Sequence, residues 1–246
     1  SSWSSFSGNP WLVGLKPLVA AGLLAPYSPW TGDERQTDFE QVTRWKQPKL
    51  EAAATIFLAH PEHPWSRDYE AFLKRADWLE EAALFWALKK HHHGQPWWTW
   101  SEPLRNRDPK ALANARIQYA SDIAVWGVLE FFFDRQWHDL RNYCAARGVE
   151  LLGDLPIYVG EDSVDVWANR HEFQVDDAGQ FLQVAGVPPD PYCEDGQRWG
   201  NPLYDWNAMA NSGFEWWIRR AKRAFSLTDT VRIDHFIGIS RYWSIP

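Results

Sequence analysis

The sequence predicts an α/β fold with parallel strands, because a helix, a glycine and a short apolar strand follow one another. A helical pattern ends at Gly148, and the apolar segment after it closes on Asp154. Near the C-terminus, a second helical pattern over residues 214–225 precedes an apolar segment that closes on Asp234. We therefore predict two parallel strands, each with a carboxylate at its carboxyl end.

Two architectures place functional groups at the carboxyl ends of parallel strands, the (β/α)8 barrel and the doubly wound sheet. The pattern alone leaves both open. Long excursions after the strands favour a barrel with inserts, and the largest covers residues 160–206. Within it, residues 172–184 predict a hairpin that turns at residues 177–179.

The first part of the chain shows helical periodicity without a strand signal. Pro48 is suited to the first turn of a helix, and Gly94 can end another helix in the left-handed conformation. We therefore predict a helical insert subdomain at residues 33–107, and assign residues 1–32 and 108–246 to the barrel.

Composition and charge argue against two classes of partner. The chain has 246 residues, a formal net charge of −7 and no long Lys/Arg run. Phosphate binding needs a basic face, and an anionic bilayer attracts basic segments, so neither a nucleic acid nor a membrane is expected. The longest apolar stretch, residues 124–133, is too short to span a bilayer. Only two cysteines, Cys144 and Cys193, occur, which favours a reducing cytoplasm over a disulfide framework.

Tryptophan is unusually abundant, with 18 residues. Core packing explains most of them. Trp and Tyr rings also form flat platforms for the apolar faces of sugars, so a carbohydrate function is an alternative that composition alone leaves open.

No motif indicates a metal or an organic cofactor. The consecutive histidines His91 to His93 fan outward from a helix and cannot share one ion well. The chain has no glycine-rich phosphate loop and no G-x-S-x-G elbow. We therefore expect no metal and no cofactor, and find no support for phosphoryl transfer, nicotinamide chemistry or serine hydrolysis.

The strongest chemical pattern is Arg232 two residues before Asp234. Residues two apart on a strand share a face, and an arginine beside an aspartate keeps it ionised, as a nucleophile requires. A buried salt bridge at a strand end explains the same pattern, and for an isolated R-x-D it carries more weight.

Asp154 and the run of residues 186–204 have two interpretations each. Asp154 can bind sugar hydroxyls, or it can accept hydrogen bonds from loop amides. The run is rich in Pro and Gly and carries Tyr192, Trp199 and Tyr204. It predicts either a binding lid or a rigid packing loop.

The ordered motifs together resemble the 4-α-glucanotransferases, also called amylomaltases or disproportionating enzymes, of glycoside hydrolase family 77. The motifs are SFSGNP at 5–10, WWTWSEPLR at 97–105, RDP at 107–109, GDLPIYV at 153–159, DSVDVW at 162–167, AGVPPD at 185–190, GQRWGNPLY at 196–204 and VRIDHF at 231–236. They follow the family order and span nearly the whole chain.

The resemblance implies a partial (β/α)8 barrel with inserted subdomains, and a retaining transfer of α-1,4-glucan segments between malto-oligosaccharides. It identifies Asp234 as the nucleophile and Arg232 as its supporting arginine. It also implies glucan-binding roles for Trp3, Asp154, Asp190, Tyr192, Trp199, Asn201 and His235. A non-catalytic glucan-binding or scaffold protein of the same fold is the alternative.

Several positions depart from the family pattern. Trp3 stands where the family usually has Tyr, Ile237 replaces a usual Arg, and Cys193 follows Tyr192 in place of Phe. The resemblance also implies that the family's general acid/base Glu and third essential Asp lie beyond Pro246, and that its first barrel strand has no counterpart here. We therefore expect these 246 residues to be inactive on their own.

Overall fold

The computed structural model describes residues 3–32, 35–189, 191 and 193–246. Its α-helices are α1 (Leu15–Ala20), α2 (Phe39–Ala59), α3 (Ser66–Arg75), α4 (Leu79–His91), α5 (Glu102–Arg105), α6 (Pro109–Gln118), α7 (Ala120–Ala145), α8 (Val164–Ala168), α9 (Trp206–Asn211) and α10 (Glu215–Leu227). Its strands are β1 (Leu152–Leu155), β2 (Val184–Val187), β3 (Gln197–Pro202), β4 (Thr230–Ile233) and β5 (Trp243–Ile245).

The two predicted strands, β1 and β4, pair in parallel, which confirms the α/β class and is consistent with part of a (β/α)8 barrel. Strand β1 begins later than predicted, because the residues before it are held by a side chain. The carboxylate of Asp229 accepts a hydrogen bond from the amide of Leu151 at 2.8 Å, and the Asp229 amide donates to the Leu151 carbonyl at 2.9 Å.

A second sheet runs through the segment that the sequence predicted as a loop. Strand β2 lies between β3 and β5 and pairs antiparallel with both. Gly186 permits this pairing, since a Cβ there would lie 2.5 Å from the Gln197 carbonyl oxygen. The prediction of a continuous loop over residues 186–204 is therefore wrong for residues 186–187 and 197–202.

The predicted hairpin at residues 172–184 is present in a shorter form, at residues 174–182. The Gly179 amide donates to the Asp176 carbonyl at 3.0 Å, and Val175 and Phe181 form an isolated antiparallel bridge. The Leu182 amide extends the pairing by donating to the Gln174 carbonyl at 3.0 Å, and Phe173 then forms its bridge with Tyr204 instead.

Pro48 lies inside α2 and does not open it, so that prediction is wrong. The helix begins nine residues earlier at Phe39, where the Asp38 carboxylate accepts a hydrogen bond from the Gln41 amide at 2.9 Å. This cap satisfies an N-terminal amide that otherwise has no partner within the helix. The apolar face of Leu50, Ala53, Ala54 and Phe57 is buried.

Two glycines follow helix ends in the left-handed conformation. Gly94 has φ of +76° after α4, as predicted, and its amide donates to the Lys89 carbonyl at 2.8 Å. Gly148 has φ of +67° after α7. At each glycine the chain turns away from the preceding helix, and after Gly148 it continues into β1.

Contacts divide the chain into two compact units. One contains Gly8–Ala87 and Gln118–Leu140, with a core in which Phe57 contacts the rings of Tyr69, Phe131 and Phe132. The other contains Leu88–Ile117, Arg141–Pro246 and the N-terminal segment up to Ser7. The predicted division into a barrel and an insert at residues 33–107 stays a prediction.

The unit that carries β1 and β4 has an aromatic core beside its sheets. The rings of Phe173, Trp216 and Trp217 surround the Tyr204 ring at centroid distances of 5.3–5.8 Å. Among the residues that the structure describes, no helix has the length and apolarity needed to cross a bilayer.

Gly153 in β1 gives the first testable prediction. A Cβ at this position would lie 2.6 Å from Oγ1 and 2.9 Å from Cγ2 of Thr228, so Gly153→Ala must displace the strand or that side chain. We expect a loss of about 1–3 kcal/mol of unfolding free energy, measured as a lower denaturant midpoint. Thr228→Ala in the same chain should recover most of this loss, and an unchanged midpoint in Gly153→Ala would contradict the prediction.

Candidate active site at the carboxyl ends of two strands

The register of the parallel pair brings the predicted site residues together. Asp154 lies opposite Arg232 across β1 and β4. The Arg232 guanidinium donates two hydrogen bonds to the Asp154 carboxylate, at 3.0 Å from Nε and 2.7 Å from Nη2. The same Nη2 lies 3.4 Å from Oδ1 of Asp234. One guanidinium therefore links both carboxylates at this end of the sheet.

This geometry revises the interpretation of the R-x-D pattern. The side chains of Arg232, Asp154 and Asp234 are 60%, 53% and 58% exposed, so the cluster is not a buried salt bridge. The principal partner of Arg232 is Asp154 on the neighbouring strand. The carboxylate of Asp154 also accepts from this guanidinium instead of from loop amides, which was the alternative for that residue.

The bidentate hydrogen bond between Arg232 and Asp154 shifts the pKa of both residues. Hydrogen bonding to Arg232 lowers the pKa of the Asp154 carboxyl below its usual value. The pKa of Arg232 is raised, first by the hydrogen bond to Asp154 and then by the charges of Asp154 and Asp234. Both shifts favour the ionised forms of Asp154 and Arg232.

The backbone fixes Asp234 at the point where β4 ends. Its amide donates to the Leu155 carbonyl at 3.0 Å, continuing the parallel ladder by one bond. The next residue, His235, has φ of +50°, which few non-glycine residues adopt. The chain turns there into a 3-10 helix at Phe236–Ile239, so Asp234 lies in the turn directly after the strand.

An aromatic group adjoins this strand end. The Trp199 indole meets the His235 ring edge-on at a centroid distance of 5.0 Å, and the Tyr158 ring lies 6.3 Å from Trp199. Trp199 is 37% exposed, and its Nε1 donates to the Gln197 side chain at 3.0 Å. The structure therefore brings the predicted residues Trp199 and His235 together beside Asp234.

Two other predicted site residues, Asn201 and Trp3, contact residues outside the cluster of Asp154, Arg232 and Asp234. The side-chain Nδ2 of Asn201 donates to the Val159 carbonyl at 2.8 Å, which ties β3 to the segment after β1. Trp3 is exposed, its carbonyl accepts from the Val164 amide at 2.8 Å, and its ring lies 5.5 Å from the Lys89 ammonium. Asp190 and Tyr192 lie outside the described residues.

Three buried charged residues, Lys89, Asp165 and Arg220, are not among the site residues that the sequence predicts. Lys89 is buried, and its ammonium donates to Asp162 at 2.5 Å and to the Gly94 carbonyl at 2.7 Å. Asp165 and Arg220 are also buried. Both line a cavity of about 420 Å³ that also borders Asp154. In the sequence, Lys89 and Arg220 each stand beside another basic residue and Asp165 stands between two valines, and such patterns are too common to identify a site.

Asp165 makes stability depend on pH. Burial raises its pKa from 3.8 to about 6, although Oδ2 accepts a hydrogen bond from the Ser5 amide at 2.6 Å. The folded state then holds a proton that the unfolded state releases, so raising the pH from about 4 to 6 removes stability. The size is on the order of 1–3 kcal/mol.

We expect Asp165→Asn to flatten this part of the stability profile, because an amide keeps an acceptor for the Ser5 amide without titrating. Denaturant midpoints of both proteins across pH 4 to 7 measure the effect. Asp139→Asn, at an exposed position on α7, is the matched control. Parallel profiles for the native chain and Asp165→Asn would show that the buried carboxyl does not titrate in this window.

Within the described part of the chain, no group of three or more His, Cys, Asp and Glu residues is arranged to hold a metal ion. In the predicted histidine run, His92 Nδ1 lies 2.8 Å from the Leu88 carbonyl oxygen, and its ring packs against Trp100. That imidazole belongs to the end of α4.

Comparison with known proteins identifies what the chain is similar to. The sequence profile of glycoside hydrolase family 77, described as 4-alpha-glucanotransferase, matches residues 1–246. The 4-alpha-glucanotransferase of Thermus thermophilus is 43% identical over 246 residues, which is 100% of this chain and 49% of that protein. The chloroplastic/amyloplastic 4-alpha-glucanotransferase of Oryza sativa is 41% identical over 97% of this chain and 41% of that protein.

Solved structures agree with this match. Amylomaltase from Streptococcus agalactiae, in complex with acarbose, superposes with a TM-score of 0.94 at 34% identity, over 100% of this chain and 50% of that one. Amylomaltase from Corynebacterium glutamicum gives a TM-score of 0.65 at 17% identity, over 99% of this chain and 33% of that one, and shows the shared fold alone. The chain thus spans half or less of the length of each of these relatives.

Proposed function

The chain belongs to the 4-alpha-glucanotransferase family, and from this premise we propose that its protein transfers α-1,4-glucan segments between malto-oligosaccharides. The observation that supports the proposal most directly is the Arg232 guanidinium, which contacts both Asp154 and Asp234 at adjacent strand ends. Functional groups occupy this position in (β/α)8 barrels. An exposed carboxylate beside a guanidinium at such a strand end meets the requirements of a glycosidic nucleophile.

In the proposed reaction, Asp234 attacks the anomeric carbon of the bound glucan and forms a glycosyl-enzyme intermediate. Arg232 places a positive charge 3.4 Å from the attacking carboxylate. A general acid protonates the leaving oxygen. A sugar hydroxyl then opens the intermediate at the same carbon, so two inversions give net retention.

Glucan binding falls to groups around the nucleophile. Asp154 accepts hydrogen bonds from hydroxyls of the sugar beside the scissile bond. The two hydrogen bonds from Arg232 hold its carboxylate in one orientation. Trp199 and His235 offer ring surfaces next to Asp234. Exclusion of water by aromatic groups favours transfer over hydrolysis. Trp3, Asp190, Tyr192 and Asn201 complete the proposed binding set.

We test this function in a protein that joins this chain to the segment its relatives have in addition. Incubation with maltotriose should yield glucose together with longer oligomers. The total number of reducing ends should stay constant, because each bond broken is replaced by a bond formed. Rising reducing ends would indicate a hydrolase, and binding without products would indicate the glucan-binding alternative.

Two narrower proposals accompany this function. Acarbose should compete with malto-oligosaccharides, since the Streptococcus agalactiae amylomaltase was solved with that ligand. We also propose a cytoplasmic location, because the two cysteines of the sequence, Cys144 and Cys193, are too few for a disulfide framework.

A further inference from the structure

Arg220 on α10 is a buried cation that donates hydrogen bonds to backbone carbonyls. The residue is 2% exposed. Its guanidinium donates to the Pro156 carbonyl at 2.6 Å and to the Ile157 carbonyl at 3.1 Å. It also reaches the Tyr158 carbonyl at 3.5 Å. Arg220 therefore contacts three consecutive carbonyl oxygens in the segment that follows β1.

A second group supports the same segment. The Tyr204 hydroxyl donates to the Ile157 carbonyl at 2.6 Å and accepts from Arg220 at 3.2 Å. The indoles of Trp216 and Trp217 lie 5.4 and 5.0 Å from the guanidinium carbon, in the range of cation–π contacts. Arg220 is thereby held in one position, which makes it a rigid brace.

Burying a charged group is costly unless its hydrogen bonds are supplied. An apolar residue of similar volume would fill this space without that cost, and often without loss of stability. What an apolar residue lacks is the ability to fix several carbonyl oxygens at once. The arrangement around Arg220 is thus better suited to setting a loop geometry than to increasing stability.

The braced segment connects directly to the candidate site. Residues 156–158 begin right after β1, which carries Asp154. The Tyr158 ring stacks on Tyr204 at 5.9 Å and contacts Trp199, which in turn contacts His235. A shift of this segment would therefore move Asp154 from one side and Trp199 from the other.

We propose that Arg220 is a positioning residue for glucan transfer, which holds residues 156–158 so that Asp154 and Trp199 meet the sugar in one fixed geometry. The proposal rests on the proposed function and adds a residue that acts through the segment after β1, without contact with the glucan. Misplacing binding groups by about 1 Å can cost on the order of a hundredfold in rate.

The test uses kinetics of maltotriose transfer, normalised to the folded fraction, in the longer protein described above. Arg220→Met should lower kcat by about tenfold to a hundredfold, with a change in KM of less than about threefold. Arg220→Lys should recover part of kcat, since an ammonium can still donate to these carbonyls. Tyr204→Phe, which removes one hydroxyl and keeps the ring stack, should lower kcat by a smaller factor in a protein that folds.

The matched control is Arg223→Met on the same helix. The Arg223 Nε donates to the Phe6 carbonyl at 2.8 Å, away from residues 156–158, so its loss should leave kcat unchanged. Equal kcat values per folded molecule for the native protein, Arg220→Lys and Tyr204→Phe would overturn the proposal, even if Arg220→Met fails to fold. A native protein that transfers no glucan would instead overturn the proposed function, and this inference with it.

Discussion

Asp234→Asn is expected to reduce glucan transfer by at least about 10⁴-fold, because removing the nucleophile of a covalent mechanism removes the first chemical step. The amide keeps the size and shape of the carboxylate. Asp234 is 58% exposed, and its fixed contact to the Leu155 carbonyl comes from its own backbone amide. The fold and the thermal midpoint should therefore hardly change, and acarbose should still bind.

Two controls separate loss of the nucleophile from loss of structure. Asp139→Asn makes the same chemical change at an exposed position of α7 and should retain full transfer activity. Asp234→Gly, given azide and α-maltosyl fluoride, should form β-maltosyl azide, because azide displaces the fluoride directly with a single inversion. Retained transfer in Asp234→Asn would mean that a different carboxylate attacks the sugar.

The sequence was sufficient to predict the elements that carry this chemistry. An apolar segment that closes on a carboxylate is short, continuous and bounded by a glycine or a helix end, so both β1 and β4 could be predicted. Their parallel pairing followed from the helix that precedes each strand. Asp154, Arg232 and Asp234 could be identified because they end these strands.

Other contacts depend on register and on distant residues, which local patterns do not encode. The two-residue spacing suggested that Arg232 serves Asp234, whereas its bidentate partner is Asp154, 78 positions away. The pairing of β3 depends on the close approach that Gly186 permits. The role of Arg220 depends on carbonyls 62 to 64 positions away.

Arg232→Gln should give the second largest loss, on the order of 10² to 10³-fold in kcat/KM. The glutamine cannot donate to both carboxylates, so Asp154 loses its fixed orientation and Asp234 loses the nearby positive charge. Arg232→Lys should recover little, because a compact ammonium cannot form the bidentate contact of a guanidinium. Transfer kinetics with maltotriose measure both variants.

The pH dependence of kcat/KM reports specifically on the loss of the Arg232 charge. In the native protein Arg232 lowers the pKa of Asp154, so that carboxyl stays ionised further into the acid range. Without the guanidinium its pKa returns upward, and activity that requires ionised Asp154 is lost at a higher pH as the solution is acidified. The acid limb of kcat/KM should therefore move to higher pH in Arg232→Gln.

A second arginine–aspartate pair, between Arg141 on α7 and Asp229 just before β4, provides the matched control. Arg141 contacts Asp229 at 2.6 Å just before β4 begins, at the end of the strand opposite Asp234. In (β/α)8 barrels this end serves stability and the other end serves catalysis. Arg141→Gln should cost no more than about 1 kcal/mol of stability and leave the pH profile in place. Equal losses of activity in the two variants would show that the strand needs its ion pairs only to fold, and that Arg232 has no separate part in the reaction.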